Sequence, residues 1–114
     1  MKTLIGAVAM AALAASSVVA SEYDGSWTVA ITAEEEHCQR SDLAVVIAGG
    51  EVSYDGLFGV EVDGAVAPGG ELKLQLAHGE DVVHAFGRLQ SASGGGEWRS
   101  ATLGCAGTWT AARK

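Results

Sequence analysis

Apolar and polar residues alternate along most of the chain. Trp27, Val29 and Ile31 interleave with Ser26, Thr28 and Ala30, the period of two that gives a strand one buried face. Leu43, Val45 and Ile47 repeat the pattern, and Val46 makes that segment apolar on both faces. Gly49-Gly50 marks a turn before a short third strand, Val52 to Tyr54. Asp55-Gly56 is a hairpin signal, because glycine accepts positive φ without steric cost. Phe58 to Val66 reads as a strand with Val60, Val62 and Val66 in phase, and Pro68-Gly69-Gly70 turns the chain again. Leu72, Leu74 and Leu76 alternate cleanly with Glu71, Lys73 and Gln75, up to the polar turn His78 to Asp81. Val82 to Gln90 is a strand whose phase the sequence leaves open. Ser91 to Gly96 reads as a flexible Gly- and Ser-rich loop. The last two strands run from Gly96 to Leu103 and from Cys105 to Ala112, broken near Gly104.

This pattern predicts an all-β fold, a single antiparallel domain of about eight short strands, with turn signals roughly every 8–12 residues that suit a sandwich or a barrel. Sequential hairpins of this kind remove their edges by closing, so a barrel-like form is expected. Trp27, Trp98, Trp109, Phe58 and Phe86 are available to fill so small a barrel, and a filled interior is expected over a large ligand cavity. Nothing shows a helical stripe with caps. A single helical turn over Glu34 to Cys38 is the one helical candidate, since acids suit a helix N-terminus.

The first twenty residues read differently. Lys2 is followed by an uncharged apolar run from Leu4 to Ala15, and Val18-Val19-Ala20 puts small or modest residues before Ser21. This is the pattern of a secretory signal peptide cleaved after Ala20. The run is short for a membrane span, which needs about 20 apolar residues, and no basic stop-transfer cluster follows. No cysteine stands at the cleavage point to carry a lipid. The short Ala-rich form is of bacterial type, so the expected location is the periplasm or the exterior, with no membrane anchor after cleavage. Residues 21–114 are then the barrel-like domain.

Composition sharpens this. The full chain of 114 residues has 7 Lys+Arg against 14 Asp+Glu, a formal charge of −7. Losing residues 1–20 removes Lys2 and no acid, so the domain is more acidic still. A nucleic-acid binder needs a basic face for phosphates, and an anionic membrane surface attracts basic segments, so the charge argues against both partner classes. Cys38 and Cys105 are the only cysteines. In an oxidising compartment they form a disulfide. Closing a loop of roughly 70 residues stabilises by about 4 kcal/mol in the chain-entropy description. A redox pair would show C-x-x-C spacing, which is absent. His37 adjoins Cys38, but neighbours along a strand point to opposite faces and do not readily share an ion.

One triplet recurs: Gly25-Ser26-Trp27, Gly96-Glu97-Trp98 and Gly107-Thr108-Trp109. Glycine two residues from an indole leaves room for the ring on the same face. Trp27, Trp98 and Trp109 are therefore candidates both for the core and for aromatic walls of a ligand site. Two resemblances rest on these residues. Tyr23 to Val29, Cys38, and Gly96-Glu97-Trp98 leading into Cys105-Ala106-Gly107-Thr108-Trp109-Thr110-Ala111-Ala112-Arg113 resemble small secreted proteobacterial proteins of unknown function. Those proteins end in a C-x-G-T-W-x-A-x-R type sequence, and the resemblance implies no activity. A G-x-W opening the first strand and a basic residue on the last are similar to the calycin barrels, the lipocalins and avidins. That likeness implies a small-ligand site, with Arg113 packed over Trp27 at the closed end. The chain is shorter than those barrels and lacks the rest of their motifs.

Catalytic and metal signatures are missing. His37, His78 and His84 show neither H-x-x-x-H nor H-E-x-x-H spacing. Glu34-Glu35-Glu36 lacks the Asp-x-Asp-x-Asp-Gly chemistry of a calcium loop. No G-x-S-x-G elbow is present, and Gly94-Gly95-Gly96 lacks the Lys and helix of a phosphate cradle. The sequence therefore names no catalytic residue, metal ligand or cofactor. The leading expectation is an exported non-enzymatic binding or interaction module, inhibitor-like in one form, with a protein or small-molecule partner the sequence does not specify. The alternative is a calycin-like carrier of a small ligand; an enzyme or metalloprotein comes last.

Overall fold

A computed structural model describes residues 21–54, 56 and 59–114. Residues 1–20, expected to be a signal peptide, and Asp55 and Phe58 among the residues singled out above, lie outside the described residues. Eight strands are present among the described residues: β1 (Gly25–Ile31), β2 (Ser41–Ala48), β3 (Glu51–Ser53), β4 (Val60–Val66), β5 (Glu71–His78), β6 (Asp81–Leu89), β7 (Ser93–Ser100) and β8 (Cys105–Arg113). Each pairs antiparallel with its neighbour in sequence, and β8 returns to β1, so the sheet is a closed up-and-down barrel. Closure aligns Trp27 with Arg113, Val29 with Ala111 and Ile31 with Trp109. No helix forms among the described residues; the candidate segment Glu34 to Cys38 makes one hydrogen-bonded turn, the Cys38 N–H donating to the Glu35 carbonyl at 3.1 Å.

Alternation decides which face is inside. Trp27, Val29 and Ile31 of β1, Leu43, Val45 and Ile47 of β2, and Leu72, Leu74 and Leu76 of β5 all face the barrel interior. The undecided phase of β6 resolves as Val83, Ala85 and Leu89 inward. Phe86 is thereby turned outward, where the Arg99 guanidinium lies 5.4 Å from its ring centre. Val46, apolar on the wrong face, is 47% exposed.

Two expectations are corrected here. The segment 91–96 is not a flexible loop: Gly94, Gly95 and Gly96 lie within β7, opposite Leu89, Arg88 and Gly87 of β6 and Ala111, Thr110 and Trp109 of β8. Glycine is needed there for close approach. A Cβ on Gly96 would meet the Phe86 carbonyl and the Gly87 backbone, and one on Gly87 would stand 2.7 Å from Trp109 Cζ2. The second correction concerns the interior, which the described residues do not fill.

Cys38, in the β1–β2 connection, is bonded to Cys105 at the start of β8. The staple therefore holds that connection against the last strand beside the closing seam. Glu35 reinforces it, because its Oε1 accepts the Ala106 N–H at 3.1 Å. The β3–β4 seam is short among the described residues: β3 has three residues, Glu51 stands opposite Ala65, and the Val66 N–H donates to the Gly50 carbonyl at 2.8 Å.

Candidate functional site

The two ends of the barrel differ. One carries the start of β1, the end of β8 and the turns β2–β3, β4–β5 and β6–β7. Here Tyr23, Trp27, Ile47, Val52, Leu72 and Leu89 are all buried, Trp27 to 1% exposure. Trp27 donates its indole N–H to the Tyr23 carbonyl at 2.9 Å. Arg113 lies across the outer side, its guanidinium carbon 4.7 Å from the Trp27 ring centre. Its Nη1, Nη2 and Nε donate to the carbonyls of Asp24, Glu22 and Ser91 at 2.6, 2.7 and 2.8 Å. One guanidinium thus ties the N-terminal segment, the β6–β7 turn and β8 over a buried indole. Gly25, at φ 136°, makes room for it: a Cβ there would sit 3.1 Å from Arg113 Nη1. The placement of Arg113 over Trp27 is the one the calycin likeness implies for these residues.

Asp24 locks the same end. Its carboxylate accepts the Gly49 N–H at 2.9 Å, the Gly50 N–H at 3.2 Å, and the Ser21 hydroxyl at 2.7 Å and N–H at 3.2 Å. These bonds favour the charged form, the Gly49 N–H most and the Ser21 hydroxyl next, and hold the pKa at about 2.

Between this plug and the opposite end lies a cavity of about 390 Å³. All three tryptophans reach it, together with the inward residues of the strands. Trp98 donates its N–H to the Thr32 carbonyl at 2.8 Å, and Trp109 donates to the Phe86 carbonyl at 3.3 Å. The glycine-indole triplets interlock across β7 and β8: Trp98 stands opposite Gly107, and Trp109 opposite Gly96. Both rings are thereby tethered to wall backbone.

This explains why the interior stays open. The three indoles belong to β1, β7 and β8, which are adjacent in the closed sheet, and Phe86 faces outside. The facing wall, β3 to β5, contributes Val52, Val62, Leu72, Leu74 and Leu76. Aliphatic chains of that length do not reach across to fill the centre.

The mouth lies at the end opposite Arg113. Gln39, Ser41 and Tyr54 bring the cavity's polar side-chain groups there, and Leu103, 44% exposed, lies at its edge. The lining among the described residues contains no Asp, Glu, Lys, Arg or His. With every indole N–H committed to a backbone carbonyl, the deeper cavity offers a ligand dispersion and burial but no strong hydrogen bond.

The other sequence candidates do not assemble a site. His37, His78 and His84 are each exposed, one in a loop, one at the end of β5 and one within β6. His37, Cys38 and Cys105 place ligand-type atoms within 4.8 Å of one another. Both sulfurs are spent on each other in the disulfide, so neither is the thiolate that metal ligation requires. Sequence reasoning named the three tryptophans but missed Asp24 and the mouth residues Gln39, Ser41, Tyr54 and Leu103. No motif marks these positions, because they are brought together by barrel closure.

Fold and site together define an eight-stranded antiparallel up-and-down barrel whose described residues leave an apolar interior, plugged at one end and open at the other. No protein-family model, curated protein or solved structure matches the chain.

Proposed function

We propose that this protein is an exported, non-enzymatic binder of a small apolar molecule held inside the barrel. One observation carries the reading: the 390 Å³ apolar cavity with an open mouth and a plugged floor. A cavity of about 150 Å³ lined by aliphatic and aromatic groups suffices for benzene. By that scale the interior takes roughly 15 non-hydrogen atoms. Small-molecule sites are commonly of this size and apolarity.

Features of the exterior support a ligand inside over a protein partner outside. Val46 and Leu103 are the large hydrophobics exposed among the described residues, and Leu103 belongs to the mouth. Protein interfaces are anchored by clustered buried aromatic or Arg residues. Here the tryptophans face inward. Glu61, Asp63, Glu71, Lys73 and Gln75 point outward and are exposed. That is the reverse of a membrane barrel, whose outer face carries an apolar band. No helix among the described residues is long and apolar enough to cross a membrane. The disulfide and the leader-like first twenty residues support an oxidising, extracytoplasmic location.

The test is a titration with 1-decanol followed by intrinsic tryptophan fluorescence, in the native protein and in Ala85→Phe. Ala85 lines the cavity opposite Trp98 in register, and a phenyl ring there occupies ligand space. Saturable binding to the native protein is expected, at least about tenfold weaker in the variant. Equal binding by both proteins, or none by either, would contradict the proposal.

A further inference from the structure

Resting on the carrier reading, we infer that the barrel selects its ligand by head-group charge and takes a single-tailed amphiphile with a cationic head, discriminating against carboxylate-headed ones. Two independent features lead there. The first is the lining. A site for a fatty-acid anion needs a Lys, an Arg or a set of free N–H donors, because an unpaired carboxylate is costly to desolvate. This cavity has no cationic side chain among its described lining residues. Its indole donors are already bonded to the carbonyls of Tyr23, Thr32 and Phe86. The polar side chains available are Gln39, Ser41 and Tyr54, all at the mouth. The tail therefore goes inward and the head stays at the opening.

The second feature is the rim that the head would meet. The β1–β2 connection and the β5–β6 turn both lie at the mouth end of the barrel. They carry Glu34, Glu36 and Glu80 exposed, with Glu35 half-buried against β8. Arg40 is the one Lys or Arg in the mouth-end loops among the described residues. At the opposite end Arg113 and Lys114 are balanced by Glu22 and Asp24, so the excess of acids in the end segments is on the mouth side. The charges of the rim act over a Debye length, about 8 Å at physiological salt. A cation is attracted there and a carboxylate repelled.

Calorimetric titration with three probes of one tail length, decylammonium, 1-decanol and decanoate, below their micelle concentrations at neutral pH, separates the outcomes. Decylammonium is expected to bind tightest and decanoate about tenfold more weakly than it, with the alcohol between them. The spread should shrink in high salt. Glu34→Gln/Glu36→Gln/Glu80→Gln, which spares the structural Glu35, should narrow the cation-over-carboxylate ratio while leaving decanol affinity unchanged. Decanoate or decanol binding as tightly as the cation, or a ratio unmoved in the triple variant, would overturn charge selection and leave the carrier reading standing. Absence of binding by all three probes would overturn both.

Discussion

At the residue scale, two side chains at the plugged end do work that composition does not reveal. Arg113 stacks on Trp27 and donates to three backbone carbonyls at once. A lysine keeps the charge but has no planar fork to divide among three acceptors. Arg113→Lys is accordingly expected to lose about 2 kcal/mol, a fall of roughly 10 °C in thermal midpoint; an unchanged midpoint would contradict the clamp. Asp24 makes stability depend on pH. Its folded pKa of about 2 lies below the ordinary 3.8. Its contribution is therefore fully present above pH 3.8 and is lost as pH falls from there towards 2. Denaturant melts of native protein and Asp24→Asn should differ at neutral pH and converge across that window. Parallel curves would show that the carboxylate makes no such contribution. The tryptophan and arginine of the clamp were legible as a motif. The Asp24 network was not, because the N–H groups of Gly49 and Gly50 that donate to it lie in a turn distant in sequence.

At the element scale, strands with one apolar face were readable directly: β1, β2 and β5 stand where alternation places them, and Leu72, Leu74 and Leu76 point inward without exception. Reading failed where glycine replaced side chains. Gly94 to Gly96 carries no alternation, so a run that pairs on both edges looks like a loop. The physical requirement there is absence of Cβ. Gly87→Val would push a branched side chain into Trp109 and the β7 backbone. It should cost about 3 kcal/mol or more. Gly69 meets nothing within 4 Å and has no positive φ, so Gly69→Ala should stay within about 0.5 kcal/mol of the native protein. Comparable effects of the two substitutions in urea unfolding would refute the close-approach account. The Cys38–Cys105 bond is legible from compartment and cysteine count.

At the scale of the whole molecule, closure was legible and its consequence was not. The number of strands and the need to remove edges predict a barrel, but whether the lumen is filled depends on which wall carries the large side chains. Three indoles sit on β1, β7 and β8, Phe86 faces solvent, and the opposite wall is aliphatic. The count of aromatics therefore misleads, and only their distribution around the closed sheet leaves the centre open. Occupancy of that space should also stabilise the fold by mass action. Ligand at a hundredfold excess over its dissociation constant should add about 2.7 kcal/mol, read as a rise in thermal midpoint that Ala85→Phe largely abolishes. The central claim, an apolar ligand inside the barrel, is tested most directly by intermolecular nuclear Overhauser effects from bound 1-decanol. The account predicts contacts from the decanol methyl group to the methyls of Val45, Leu74 and Ala85. Contacts to the outward Val46 with none to those three residues would contradict it.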